Sequence, residues 1–213
     1  VINIGNDIFF KKMDQDPEKL IEVKYKKYIP FSLCVSHLYP YKNIINMLKA
    51  YKKSMDSTGI KNSLLIAGQI ISKPYYHMIN NCIEELKIQE YIIFLGGIPK
   101  KDLNYLYSKC EFLIFPSPIE NFAYTLVEAM SCGAPIACSN TTAMPETCEN
   151  AAIYFDPNDI NDMSKRINDL LSNRNLRNTL KLKSYARAKE LPNYEEVTFQ
   201  TLKIINKVMS SSY

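Results

Sequence analysis

Residues 116–145 read PSPIENFAYTLVEAMSCGAPIACSNTTAMP and come directly after a short apolar run. That run, residues 112–115, stops at the first proline of the stretch and predicts a buried strand. The spacing of apolar residues over 125–131 predicts a helix that closes at a glycine, and residues 136–138 predict the next strand. Together these segments predict a strand–helix–strand unit, the building block of a parallel sheet.

The same alternation continues along the chain from residue 31 onward. Because the predicted strands are apolar throughout and alternate with helices, they indicate an α/β fold, a doubly wound, Rossmann-like parallel sheet with helices on both faces. Ligands of such sheets bind beyond the carboxyl ends of the strands, here in the loops after Val35, Ala67, Leu95 and Phe115. Outside the first unit, strands are predicted at 31–35, 63–67, 91–95 and 153–155, and helices at 42–54, 75–86, 101–110, 160–172, 176–191 and 194–209.

Composition excludes several classes of protein. The 213 residues are 46% hydrophobic and 23% charged, as in ordinary globular domains. A net charge of +4 is too small and too dispersed to indicate a nucleic-acid partner. No run approaches the roughly 18 apolar residues of a membrane span, and no secretion signal is visible. With two histidines and no C-x-x-C pair among six cysteines, we expect reduced, buried thiols, no zinc site and a cytoplasmic protein.

Two glutamates flank the predicted helix start in the quoted stretch. Glu120 precedes the helix, and Glu128 lies inside it, eight positions later. The free amides and the dipole of a helix start attract an anion, and a carboxylate on either side accepts hydrogen bonds from hydroxyl groups. This order suits a sugar–diphosphate–ribose ligand. The alternative is a pair of ordinary surface and helix-start glutamates.

The quoted stretch resembles the C-terminal, nucleotide-sugar-binding domain of the family 4 retaining glycosyltransferases, in the GT-B class. The family pattern is carried here by Ser117, Glu120, Glu128, Ala129, Met130, Gly133 and Pro135. Three further landmarks follow in family order, at residues 38–43, 65–68 and 97–107. The resemblance implies that residues 1–30 are a lead-in or linker from a missing N-terminal domain and that 31–213 are the donor-binding domain with its C-terminal helices. The chain begins with Val1 rather than Met, which favours a trimmed or processed chain.

The resemblance also implies roles for individual residues. Lys42 contacts the diphosphate and Glu120 touches the donor sugar, so these two are the expected catalytic residues, and Glu128 holds the ribose hydroxyls. A positive charge at the diphosphate stabilises the leaving group as it gains charge. The backbone of Ile98 lies against the base. Lys42 as a solvated lysine and Ile98 as a packing residue remain the alternatives. The other expected donor-binding residues are Asn121, Phe122, Ala123 and Tyr124 at the sugar hydroxyls, and Tyr124, Thr125 and Leu126 near the phosphates.

Two departures from the family pattern bear on specificity. Ser36-His37 stands where many relatives have Gly-Arg. The permanently charged arginine expected at the phosphates is thus replaced by a titratable histidine. The alternative is that His37 is a spacer that faces solvent. Residues 120–123 read ENFA where relatives often read EGFG, which leaves sugar specificity open. A metal-holding tag of another glycosyltransferase class is matched at residues 14–16, but it precedes a proline and favours a helix start.

We therefore predict the donor-binding half of a hexosyltransferase that moves a sugar from a UDP- or GDP-linked donor to an acceptor with retention. The expected acceptor is a glycan or a lipid-linked molecule, and no cofactor or protein-bound metal is expected. Peripheral attachment at the inner face of the membrane is left open. Two alternatives remain, a non-catalytic nucleotide-sugar-binding subunit and another GT-B-shaped enzyme such as a nucleotide-sugar epimerase. A dinucleotide-binding domain is disfavoured because no G-x-G-x-x-G follows the first strand.

Overall fold

A computed structural model of the chain describes residues 7, 9–11 and 19–210. In this part of the chain, short strands alternate with helices as the sequence predicts. The strands are β1 Phe31–Val35, β2 Ser63–Ala67, β3 Ile92–Gly96, β4 Leu113–Phe115, β5 Ile136–Ser139 and β6 Ala152–Phe155. The helices are α1 Lys19–Lys26, α2 Ile44–Thr58, α3 Lys73–Leu86, α4 Lys100–Lys109, α5 Tyr124–Ser131, α6 Ala143–Cys148, α7 Ile160–Ser172, α8 Arg174–Glu190 and α9 Tyr194–Ser210.

The strands form a single parallel sheet in the order β3-β2-β1-β4-β5-β6. The chain first builds outward from β1 to β3 and then returns to place β4 on the other side of β1. The strand order therefore reverses between β1 and β4, and this point opens a crevice at the carboxyl ends of the strands. The predicted doubly wound, Rossmann-like sheet is confirmed.

Alternating side chains of each strand enter two separate cores, one on each face of the sheet. In β1, Leu33 points into the core that contains α5 residues, whereas its neighbour Cys34 points into the core that contains α2 residues. Both side chains are fully buried. Because both faces of the sheet are covered, the strands carry apolar residues at almost every position, which is why they read as continuous apolar runs.

Local signals in the sequence define several helix ends. The Ser72 hydroxyl accepts a hydrogen bond from the amide of Tyr75 at the start of α3. Asp159 does the same for the amides of Asn161 and Asp162 at the start of α7. At the other end of α2, Gly59 takes a left-handed conformation with φ of 69°. These caps satisfy backbone groups that a helix end leaves without partners.

The structure differs from the sequence prediction in two elements. The short helix α6 was not predicted, because its six residues include a proline and carry too little periodicity to indicate a helix. Residues 14–28 are rich in charge, which predicts an exposed segment. This prediction is wrong for Tyr25, which is 1% exposed and stacks on Tyr105. Its hydroxyl donates a hydrogen bond to Asp102 of α4. α1 therefore packs on the core that also contains Leu33 and the α5 residues.

Other expectations about the first 30 residues stay predictions. The apolar residues at 2–5 also allow a strand end in the sequence, but they lie outside the described residues, as does the acidic tag at 14–16. The domain boundary at residue 30 is likewise a prediction. No helix among residues 19–210 is both long enough and apolar enough to cross a membrane.

Candidate functional site

A cavity of about 660 Å³ opens at the carboxyl ends of the strands, where the strand order reverses. Its wall is built from the ends of β1, β2 and β4 and from the segments that follow β1 to β4. The volume lies within the range of small-molecule sites. The loops after the four strands named in the sequence analysis therefore surround this cavity.

Lys42 and Glu120 meet inside this cavity. The Lys42 ammonium donates a hydrogen bond to Glu120 Oε1 over 2.5 Å, and both side chains are about 15% exposed (16% and 15%). The two residues are 78 positions apart in sequence. One comes from the loop after β1 and the other from the loop after β4, so the contact exists only because these two strands are neighbours. Because little solvent screens this pair, its charges interact strongly with an anionic or hydroxyl-bearing ligand.

Asn43 fixes the backbone that carries Lys42. It takes a left-handed conformation, with φ of 60° and ψ of 28°, between a short 3₁₀ turn and α2. Its side-chain amide donates to the carbonyl oxygens of Pro116 and Pro157, at 3.2 and 2.7 Å. These two bonds tie the segment after β1 to the segments after β4 and β6. Asn tolerates the left-handed region because its short polar side chain bonds locally.

The start of α5 lies at the wall of the same cavity. No described side chain caps this helix, whose N-cap position is Ala123. The amides of Leu126 and Val127 donate to the Ala123 carbonyl oxygen. Tyr124 and Thr125 line the cavity. The positive end of the helix dipole therefore points at the cavity together with the Lys42 ammonium, and the two favour an anion there.

Glu128 lies one helical turn beyond Tyr124 and does not line the cavity. The Tyr107 hydroxyl donates a hydrogen bond to Glu128 Oε2 over 3.1 Å. Burial raises the pKa of Glu128 from its ordinary 4.5 to about 7, because the charged form loses water, although the Tyr107 bond and the Lys100 charge act in the opposite direction. Glu128 is thus a carboxyl group whose charge changes near neutral pH.

His37 and Gly68 form the side of the cavity at the carboxyl ends of β1 and β2. The backbone amide of Gln69 donates to His37 Nδ1 over 3.0 Å, so the neutral ring carries its proton on Nε2. The two segments approach so closely that a Cβ at Gly68 would stand 2.0 Å from the Ser36 carbonyl oxygen. Only glycine fits this position, and it keeps the His37 segment in place.

The structure brings most of the expected site residues together. The exceptions are Glu128, Asn121 and Leu126, which do not line the cavity. Asn121 is exposed, whereas Leu126 is fully buried in the core and its amide already bonds to Ala123, so neither its side chain nor its amide faces the cavity. The expected residues that do line the cavity are Lys42, Glu120, His37, Ile98, Phe122, Ala123, Tyr124 and Thr125.

Three residues that support the candidate site were not among the site residues predicted from the sequence. Asn43 fixes the backbone next to Lys42 through its bonds to the Pro116 and Pro157 carbonyl oxygens. Tyr107 donates a hydrogen bond to the Glu128 carboxylate, and Thr142 accepts one from the Glu120 backbone amide. Asn43 and Tyr107 lie in the stretches at 38–43 and 97–107 that resemble family landmarks. Their hydrogen-bond partners, and that of Thr142, are distant in sequence, so the sequence does not show which groups these side chains hold.

All six cysteines are free and buried, as expected from their position in apolar runs. Among the described residues, no group of three or more His, Cys, Asp or Glu side chains is placed to hold a metal ion.

Comparisons with known proteins identify the family of this chain. The family model described as Glycosyl transferases group 1 matches residues 15–188. The chain is 31% identical over 172 residues to the O-antigen chain mannosyltransferase B of Escherichia coli, a match that covers 81% of this chain and 44% of that protein. The chain therefore spans less than half the length of this curated relative.

Solved structures share the fold. A glycosyltransferase from Rickettsia africae superposes with a TM-score of 0.86 at 21% identity, covering 99% of this chain and 57% of that one. Anabaena HepE in complex with UDP and glucose superposes with a TM-score of 0.83 at 20% identity, covering 95% of this chain and 55% of that one. The family match extends over most of the chain, from the segment before β1 to α8. The chain belongs to the group 1 glycosyltransferases, whose solved relatives have the GT-B fold.

Proposed function

We propose that this chain binds the donor of a glycosyltransferase that moves a sugar from a nucleoside diphosphate to a glycan or lipid-linked acceptor. The observation that carries the proposal is the Lys42–Glu120 pair inside the cavity, facing the uncapped start of α5. A cation and a helix start bind a diphosphate, and a carboxylate beside them binds sugar hydroxyls.

The chemistry follows from these charges. As the bond between sugar and diphosphate breaks, negative charge grows on the diphosphate oxygens. The Lys42 ammonium and the α5 amides stand where they stabilise that charge more in the transition state than in the bound donor, which lowers the barrier. Because these groups already supply positive potential, the proposal includes no protein-bound metal or other cofactor. Retention of the anomeric configuration is part of the proposal and is supported by the family resemblance.

The donor and the acceptor are suggested by the relatives. Anabaena HepE binds UDP and glucose, and the Escherichia coli relative is a mannosyltransferase of an O-antigen chain. UDP- and GDP-linked hexoses are therefore the first donors to test, with GDP-mannose among them. Since this chain spans 44% of that relative, we propose that a further domain supplies the acceptor site and that the protein works in the cytoplasm, where nucleotide sugars are present.

Titration calorimetry tests the proposal directly. The chain is titrated with UDP, GDP and ADP, each with and without an attached hexose, and with the corresponding nucleosides. We expect one base to be preferred and the diphosphate to add most of the affinity. If nucleosides and nucleoside diphosphates bind equally weakly, the cavity is not a donor site and the proposal is wrong.

A further inference from the structure

A threonine in an unfavourable backbone conformation holds the loop that carries Glu120. Thr142 has φ of 48° and ψ of −126°, the conformation of the first central residue of a type II′ turn, a position dominated by glycine. For a β-branched residue this is a true outlier and costs energy. Thr142 is also exposed, so burial of its side chain does not explain why this residue stands there.

The Thr142 hydroxyl explains the choice of residue. Thr142 is the residue before α6, where a threonine usually caps the helix, yet its side chain makes no cap bond. Its Oγ1 instead accepts a hydrogen bond from the backbone amide of Glu120 over 3.1 Å. The same hydroxyl lies 3.7 Å from Met144 Sδ and donates to it, so both its donor and its acceptor functions are used.

The neighbouring threonine holds the same loop at a second point. Thr141 Oγ1 donates to the Pro118 carbonyl oxygen over 2.7 Å. The two hydroxyls thus bind the backbone of the 118–120 segment at two places, from the loop after β5. Within that segment, the buried Ser117 hydroxyl bonds to the Ile119 carbonyl oxygen. Glu120 projects from this clamped loop to the Lys42 ammonium in the cavity.

We infer that Thr142 is a positioning residue. It fixes the position of Glu120 in the cavity and thereby affects how tightly the donor sugar is bound. The inference rests on the proposed function, because it takes Glu120 as the group that contacts the sugar. The backbone strain at Thr142 is kept because glycine, which relieves it, has no hydroxyl to hold the Glu120 amide.

The first test needs no ligand. Hydrogen exchange at the Glu120 amide is measured by NMR in the wild-type chain, in Thr142→Gly and in Thr142→Ser. We expect exchange to be slow in the wild type and in Thr142→Ser, and at least about tenfold faster in Thr142→Gly, which loses the acceptor. Equal exchange in all three chains would overturn the inference.

The second test separates sugar recognition from diphosphate binding. The dissociation constants of GDP and GDP-mannose, or of the UDP pair if that base is preferred, are measured and their ratio is taken. Glu120→Gln sets the full change of this ratio. We expect Thr142→Gly to move the ratio in the same direction by about 3- to 10-fold, and Thr142→Ser to restore it.

A matched control comes from the other end of α6. Glu149 has φ of 46° and ψ of −117°, nearly the same conformation, but its recorded bonds go to Arg187 and Tyr154 rather than to the Glu120 loop. Both Thr142→Gly and Glu149→Gly relieve backbone strain, but only Thr142→Gly removes a hydrogen bond to the Glu120 loop. Only Thr142→Gly is expected to change the binding ratio.

The outcomes distinguish the inference from the function on which it rests. If Glu120→Gln leaves the ratio unchanged, the assigned role of Glu120 is wrong, and the positioning role for Thr142 fails with it. If Glu120→Gln changes the ratio and Thr142→Gly does not, the proposed function stands and the inference about Thr142 is overturned.

Discussion

Lys42 and Glu120 show how single residues acquire a function from their surroundings. Each is an ordinary charged residue in sequence, and an exposed pair of this kind contributes little. Here the two groups are about 15% exposed and face a cavity. Under the proposed function, an incoming diphosphate competes with Glu120 for the Lys42 ammonium. In that proposal, the ion pair holds Lys42 and Glu120 in the positions from which they bind the donor.

Replacing Lys42 by alanine tests the diphosphate assignment. We expect Lys42→Ala to weaken binding of the preferred nucleoside diphosphate by about 10- to 100-fold, because a charge-assisted hydrogen bond is lost. Binding of the nucleoside is expected to change by less than about twofold. Calorimetry measures both. Lys49→Ala removes the same charge from the exposed face of α2 and serves as the control; equal losses in the two variants would show a general charge effect instead.

Glu128 makes the stability of the fold depend on pH. Its pKa is raised from 4.5 to about 7 by burial, so the folded state resists ionisation that the unfolded state accepts. Below pH 4.5 the group is protonated in both states and contributes nothing. As the pH rises toward 7 it increasingly destabilises the fold, and the full effect is present above 7.

Replacing Glu128 by glutamine removes this effect. We expect Glu128→Gln to increase the free energy of unfolding at pH 8 by up to about 3 kcal/mol and to leave it nearly unchanged at pH 4.5. The Tyr107 bond is retained, since a glutamine oxygen accepts it equally. Urea unfolding at the two pH values is the measurement. Glu146→Gln, at an exposed position of α6, is the matched control, and a gain of the same size there would contradict the assignment.

At the scale of elements, the site depends on how loops after different strands are joined. The turn from β1 into α2 is fixed by Asn43, whose two side-chain bonds reach the segments after β4 and β6. The loop with Glu120 is held from the loop after β5. Four strand ends are thereby connected through side chains, so the cavity wall is set by the sheet rather than by the loops alone.

Asn43 separates backbone conformation from side-chain bonding. Asn43→Ala loses both side-chain bonds, and alanine tolerates the left-handed backbone conformation less well than asparagine. We expect the two effects together to lower the free energy of unfolding by about 2–3 kcal/mol. Asn43→Gly loses the same bonds but fits the conformation, and we expect about half that cost. Urea unfolding compares the two. Identical losses would mean that φ at this position does not matter.

At the scale of the whole molecule, stability comes from the two cores on either face of the sheet. α9 contributes little to them, since none of its residues is buried, and Phe199 is 70% exposed. The strands in the middle are the opposite case, and Ile136 is fully buried. Unfolding therefore exposes mainly the sheet and the helices that cover it.

This contrast gives a prediction about two substitutions, each of which truncates a large apolar side chain. Ile136→Ala is expected to lower the free energy of unfolding by 2–5 kcal/mol, about the usual cost of truncating a buried aliphatic side chain. Phe199→Ser is expected to change it by less than about 0.5 kcal/mol. Thermal or urea unfolding checks both. A large loss in Phe199→Ser would show that α9 packs on the core in solution.

The sequence by itself determined the class of fold and the place of the site. Strands apolar at nearly every position, separated by helices, are consistent only with a parallel sheet covered on both faces, and ligands of such sheets bind at the carboxyl ends of the strands. The fold class follows from local patterns of apolar residues, and the location of the cavity follows from the order of strands and helices. The amino-acid sequence is therefore enough to predict both. The family motif around Glu120 and Glu128 then indicated which loop carries the chemistry.

Only the tertiary structure decided which side chains meet. The contact of Lys42 with Glu120 spans 78 positions and requires β1 and β4 to be neighbours. The strained Thr142 became visible only as a backbone angle and as a bond to a loop 22 positions away. Leu126 was expected near the phosphates, yet its side chain is buried in the core, because a helix places its residues on all sides and the packing decides which side faces the cavity.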